Sequence, residues 1–208
     1  MLTADVRGAM SSWAVTERVP PDLLRSAFRR WLGADEAERE LVNPVHLLER
    51  GEMEAADFER FLGADLVTTD GHPIEPSGLL RRMFAHFTQA PAMTALVWRA
   101  RESGIATALL SNSWGNSYPA EVFDGMFDAI VISGEVGMRK PELRIYRHTC
   151  AELGLAPEEC VFVDDMPHNV AAAVDVGMVG VHHTAYATTE AELSVLFDRD
   201  LSGHPDVG

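Results

Sequence analysis

The chain predicts an α/β fold: a parallel sheet covered by helices on both faces in residues 91–208, joined to a region that reads as helices only from residue 5 to about 90. Three observations carry this. Four short, mainly aliphatic or β-branched runs occur at residues 105–110, 127–132, 160–163 and 178–182, with Thr107, Asp128 and the closing His182 as their polar members. A strand buried on both faces needs that composition. Helical stretches separate the runs, as parallel pairing requires. Upstream of residue 90 no such run occurs, and apolar residues recur at helical spacing instead.

The helices follow in order. Leu24, Phe28 and Trp31, with Leu23 and Ala27, keep one face apolar; Pro20-Pro21 opens that helix and Gly33 closes it. A short helix over residues 44–50 stops at Gly51. The next covers 54–66 with Phe58, Phe61 and Leu62 on one side. Residues 68–76 hold a glycine, two prolines and an aspartate, so they form a loop. Residues 77–87 read as another amphipathic helix. A helix over 92–103 ends at Gly104 and feeds the first apolar run, and residues 202–208 read as a frayed tail.

With 17 Lys+Arg against 32 Asp+Glu and a net charge of −15, nucleic acid and anionic membrane surfaces are excluded as partners. Arg29-Arg30 and Arg81-Arg82 are solvated helix faces. No apolar run reaches the roughly 18–20 residues of a membrane span. The first thirteen residues carry Asp5 and Arg7 and have no signal-peptide core. Cys150 and Cys160 are too few for a disulfide framework, so a reducing, cytoplasmic setting is expected.

In open α/β sheets, ligand chemistry collects beyond the carboxyl ends of the strands. The first apolar run is followed by Ser111-Asn112. The second leads through Ser133-Gly134-Glu135-Val136-Gly137 to Arg139-Lys140-Pro141. The third ends in Asp164-Asp165, with Asn169 a turn later. A hydroxyl with free backbone N–H groups and a compact lysine charge suit phosphoryl oxygens. Strand-end carboxylates are hard ligands suited to Mg²⁺. If the pleat persists, Asp164 and Asp165 point to opposite sides, so Asp165 is expected to hold the metal and Asp164 to support it, with Asn169 orienting the set. Trp114, with Asn116 and Tyr118, either lines the mouth of this site or packs as a core or cap-contact aromatic.

This ordered set resembles the haloacid dehalogenase-like hydrolase superfamily over residues 91–184. Ser111-Asn112 is similar to its second motif, Lys140 in Arg139-Lys140-Pro141-Glu142 to its third, and Val161-Phe162-Val163-Asp164-Asp165 with Asn169 to its fourth. Ser133-Gly134-Glu135-Val136-Gly137 resembles the subgroup of epoxide-hydrolase N-terminal-domain-type phosphatases. The resemblance implies a Rossmann-like core and a small helical cap at residues 1–90. It also implies Mg²⁺-dependent hydrolysis of a small phosphate ester through an aspartyl-phosphate. A homodimer is an assembly it allows.

The superfamily's first motif, a strand ending in the nucleophilic aspartate, has no counterpart before the cap. Met1-Leu2-Thr3 resembles the tail of that motif, which puts the nucleophile upstream of Met1. Two readings stand: a start assigned inside the motif, or a protein that has lost its nucleophile and persists as a binding or interaction module. Asp5 is a poor substitute, with too few residues before it for a buried strand. Because the resemblance places that strand between those ending at Ser111 and Asp164, the expectation is a sheet lacking its central strand. Such a chain should be poorly stable unless rearrangement or partner contacts fill the seam. The histidines show no H-x-x-x-H or H-E-x-x-H spacing, so zinc chemistry is not expected. A receiver domain would carry its aspartate pair first and its lysine last, which is the opposite order. A metal-independent dehalogenase would not need Asp164-Asp165.

Overall fold

A computed structural model describes residues 3–4, 6–32, 43–114 and 123–203. Met1, Leu2, Asp5, Gly33, Asn116, Tyr118 and most of the expected C-terminal tail lie outside the described residues, as do the side chains of Phe28 and Trp31.

The first half contains β1 (Thr3–Ala4) and five helices among the described residues: α1 (Val6–Thr16), α2 (Pro21–Leu32), α3 (Pro44–Glu49), α4 (Ala55–Asp65) and α5 (Leu79–Phe84). β2 (Thr88–Gln89) follows them. Local chemistry sets several of the ends. Asn43 caps α3 by accepting a 2.9 Å hydrogen bond from Val45 N, and Pro44 occupies the first turn, where no N–H is needed. Glu59 on α4 accepts from Gly78 N and Leu80 N, both at 2.9 Å, so one helix caps the next. Trp13, Phe58, Leu66, Leu79 and Met83 form the fully buried centre of this half.

Two expectations for this half need correction. It is not wholly helical: β1 and β2 pair antiparallel, Thr3 opposite Gln89 and Ala4 opposite Thr88. Two-residue strands are too short to leave an alternating pattern. The helix expected over residues 77–87 is also shorter, because Gly78 takes a left-handed φ of 70° and holds the chain out of the helix before Leu79.

The second half alternates: α6 (Pro91–Glu102), β3 (Ala108–Ser111), β4 (Ala129–Ile132), α7 (Ser133–Val136), α8 (Leu143–Leu153), a 3₁₀ turn (Pro157–Glu159), β5 (Val161–Asp164), α9 (Pro167–Val176), β6 (Val179–His182) and α10 (Tyr186–Phe197). Each apolar run yields a four-residue strand, and the first begins later than residue 105. Thr107 is held by the neighbouring turn instead of a ladder: its N donates to Asp128 Oδ2 at 2.9 Å and its hydroxyl to Met126 O at 2.7 Å.

β3 pairs with β4, Ser111 opposite Ile132, and β5 pairs with β6, Asp164 opposite His182, both in parallel. Among the described residues no strand joins β3 to β5. One apolar cluster, with Ile145, Tyr146 and Ala173 at its centre, packs α8 and α9 against β4 and β5. Another sets α6 and α10 around Val181. The fold is therefore α/β, with parallel strands under helices. No described helix is long and apolar enough to cross a membrane.

Candidate active site

The carboxyl ends of β3 and β5 and the loop after α7 bring the polar residues singled out above together. Asn112 clasps the backbone of Lys140: its Oδ1 accepts from Lys140 N at 2.9 Å and its Nδ2 donates to Lys140 O at 3.1 Å. A side-chain amide is thus spent on holding one loop against another. Lys140 Nζ donates to Asp164 Oδ2 at 2.7 Å, and the ammonium lies 5.6 Å from the centroid of the Phe162 ring. Asp164 Oδ1 accepts from Met166 N at 2.8 Å and from Asn169 Nδ2 at 3.1 Å. Ser111, at the end of β3, is half-buried, with its hydroxyl 3.5 Å from Asn112 O.

Burial pushes the Asp164 carboxyl up, but the Lys140 charge and the hydrogen bonds from Lys140, Met166 and Asn169 outweigh it. The group is held below the usual carboxylate range and stays ionised. Asp165 lies exposed beside it. Consecutive strand-end residues face opposite ways, and here one carboxylate is locked while the next meets solvent. Tyr146, fully buried, donates from its hydroxyl to Asn169 O at 2.9 Å and so fixes the first turn of α9 from α8.

A cavity of about 1100 Å³ opens onto this cluster. Residues 108–111 of β3 and 161–164 of β5 line it, so it runs along both strands and separates them. Ser111, Asn112, Lys140, Asp164, Asp165 and Asn169 all reach its wall.

Sequence reasoning missed a contribution from the helical half. Glu49, at the end of α3, is buried and accepts from Arg139 Nε at 2.5 Å and Trp114 Nε1 at 2.9 Å. Arg50 reaches Glu142 at 3.3 Å. Gly51 abuts the backbone at Gly134: a Cβ there would sit 2.5 Å from Gly134 O, and its φ is +70°. No side chain fits that approach, which explains the glycine. Trp114 is a contact with the helical half, with its ring edge-on to Phe58 at 5.7 Å. Ser133 also went unnoticed as a separate group: its fully buried hydroxyl accepts from Ser113 N at 2.7 Å and braces the turn after Asn112.

His46 on α3 is buried, with Nδ1 lacking a hydrogen-bond partner. Desolvation, with the nearby charges of Arg139 and Arg50, lowers its pKa from 6.5 to about 4. Between those values the unfolded chain binds a proton that the folded one refuses. Stability is therefore complete above the unfolded pKa and falls as the pH drops toward the folded one. Urea melts from pH 7 down to about 4.5 should show a loss on the order of 2 kcal/mol that His46→Leu removes. An unchanged slope in that variant would refute the assignment.

Among the described residues no group of three His, Cys, Asp or Glu is placed to hold a metal. His182 Nε2 lies 3.1 Å from Asp165 O, and His183 Nδ1 pairs with Thr189 Oγ1 at 2.8 Å. The oxygen donors that could hold a cation are the Asp165 carboxylate, the Asp164 carboxylate and Asn169 Oδ1, which is buried without a hydrogen-bond partner. That hard-oxygen set fits a small cation that keeps waters and anion oxygens in its shell.

The haloacid dehalogenase-like hydrolase family matches residues 22–177. Sesquiterpene phosphatase astK of Aspergillus oryzae is 33% identical over 158 residues, covering 71% of this chain and 76% of that protein. Bifunctional epoxide hydrolase 2 of Mus musculus is 33% identical over 122 residues, 53% of this chain, which span only 22% of that enzyme. A haloacid dehalogenase family enzyme from Bacteroides thetaiotaomicron, in complex with magnesium and inorganic phosphate, superposes with a TM-score of 0.57 at 20% identity, over 81% of this chain and 88% of that one.

Proposed function

The chain belongs to the haloacid dehalogenase-like hydrolase family, and from that premise we propose that its site binds a small phosphate monoester with Mg²⁺ beside it, as in a phosphatase. The observation that carries this reading is the buried Lys140–Asp164 pair at 2.7 Å, held at the cavity wall by the Asn112 clasp. It keeps one cation and one anion at fixed positions beside an exposed second carboxylate. The similarity to a sesquiterpene phosphatase supports a phosphate ester as substrate.

In this reading Lys140 and Ser111 take phosphoryl oxygens, and Asn112 holds the lysine loop at the depth where its ammonium meets them. Asp165 binds the ion, Asp164 supports it, and Asn169 turns its amide toward the carboxylates. Bound Mg²⁺ would offset the charge of the phosphate and polarise its oxygens. Residues 1–90 act as the cap that closes over the substrate and excludes water, and residues 91–208 as the core. The separate apolar cluster built around Trp13, Phe58 and Met83 supports that division. Two buried free thiols, Cys150 and Cys160, suit a reducing cytoplasm.

Hydrolysis through an aspartyl-phosphate needs a carboxylate to attack phosphorus while the ester oxygen leaves with a proton. Of the carboxylates at the site, Asp164 is engaged by Lys140, Glu49 by Arg139 and Trp114, and the exposed Asp165 is the one this reading assigns to the ion. Residues 1–208 should therefore bind phosphate without turning it over. The same observation favours a second reading, a catalytically silent member that uses its phosphate site for binding or association. Phosphate release from an aryl phosphate with Mg²⁺ separates the two. Activity is expected only when a segment supplying a strand and a terminal aspartate is added ahead of Met1. Turnover by residues 1–208 alone would overturn the assignment of the nucleophile. No turnover with the extension would leave the binding-module reading.

A further inference from the structure

We propose that Glu49 is a positioning residue that sets both phosphate-binding loops from the helical half, through Arg139 on one side and Trp114 on the other. The inference rests on the phosphate-site reading above and adds to it a residue from outside the strand ends.

Glu49 is 6% exposed and spends each oxygen on a different loop. Oε2 takes Arg139 Nε at 2.5 Å, and Oε1 takes Trp114 Nε1 at 2.9 Å. Arg139 is the residue before Lys140, and Trp114 lies two residues beyond Asn112. Asn112 and Lys140 are themselves joined by two hydrogen bonds. Glu49, Trp114, Asn112, Lys140 and Arg139 therefore form a closed ring in which one carboxylate fixes the spacing of two loops. A shift of the Arg139 backbone is passed to Lys140 and so to the Nζ–Asp164 contact at 2.7 Å.

A role in stability alone accounts poorly for the pair. Side chains of Arg139 and Glu49 are 13% and 8% exposed, and ion pairs so far from water gain little over apolar residues of the same size. What the pair adds is direction. The guanidinium N–H is aimed by its fork geometry, and the indole has a single donor, so one carboxylate satisfies both only in one arrangement of the loops. Gly51, whose approach to Gly134 O leaves no room for a Cβ, provides a second, backbone-to-backbone seat for the same end of α3. The end of α3 cannot lift without releasing Arg139 and Trp114. Seating of the helical half and the geometry of the phosphate loops are thereby one event.

The test is affinity for inorganic phosphate in the presence of Mg²⁺, measured by titration calorimetry alongside melting temperature. Glu49→Gln keeps an acceptor for Trp114 but removes the charge facing Arg139, and should weaken phosphate binding about tenfold. The double variant E49Q/R139M removes both charges, so its melting temperature should recover toward that of the parent while phosphate affinity stays low. A purely structural pair would restore both. Trp114→Phe keeps an aromatic ring against Phe58 but has no N–H donor for Glu49; it should bind about threefold more weakly with a smaller loss of melting temperature than E49Q. This variant keeps the question answerable if the double variant does not fold. Parent-like affinity in E49Q, or recovery of affinity in E49Q/R139M, would overturn the positioning role and leave the phosphate site standing. Absence of phosphate binding by the parent protein would remove the phosphate-site reading and this inference together.

Discussion

Extended at the N-terminus by a strand-forming segment that ends in an aspartate, the chain should melt about 10–20 °C above residues 1–208 alone. The cause is the pairing of β3 and β5. Among the described residues each is paired on one edge only, and the cavity of about 1100 Å³ runs along the other. A backbone group buried without a partner costs ~1–3 kcal/mol. A strand of typical length, about five residues, would pair several such groups and cover the half-buried Leu109, Leu110 and Val161. After the ordering entropy of the added residues, a net gain of about 5 kcal/mol is expected. At roughly 2–4 °C per kcal/mol for a chain of this size, that is the stated shift. Differential scanning calorimetry decides it: equal melting temperatures would mean that the seam is satisfied without the strand.

Lys140→Met is expected to lower the melting temperature by about 10 °C and abolish phosphate binding. Lys140 and Asp164 side chains are only 12% and 5% exposed, so the variant strands a carboxylate in a site with little water. Breaking one side of such a pair costs ~3–5 kcal/mol, most of it the penalty of the group left behind. The companion variant K140M/D164N carries no buried charge and should regain most of the lost stability. It should not regain phosphate binding, because the cation facing the anion is still gone. A double variant that binds phosphate would show that Lys140 is structural; a single variant that melts like the parent would show that Asp164 is solvated.

The polar residues at the strand ends were legible in the chain because strand ends are marked locally. A strand covered on both faces must be apolar throughout, so the first polar residue after it marks where the sheet stops and a ligand can begin. Ser111 and Asp164 stand out in that way, Lys140 lies further along the segment that follows the second run, and Asn169 sits one turn beyond Asp165. What Asn112 does was less legible: both ends of its amide bind the Lys140 backbone, a partner 28 residues away. Glu49 and His46 gave no signal. A glutamate at the end of a six-residue helix is ordinarily solvated. Its partners Trp114 and Arg139 lie 65 and 90 residues further on. The β1–β2 pair was illegible for the opposite reason, since each strand is only two residues long.

By itself, then, the chain determined what is settled between near neighbours: which runs form strands, that Gly51 ends the short helix before it, and the order in which hydroxyl, cation and carboxylates meet the sheet edge. The tertiary structure decided which strands share an edge, which carboxylate is locked and which is exposed, and that a helix from the first half braces the lysine loop. The division has one physical source. Strand and helix propensities are summed over a few adjacent residues, whereas edge pairing and buried ion pairs depend on groups that only folding brings within hydrogen-bond distance.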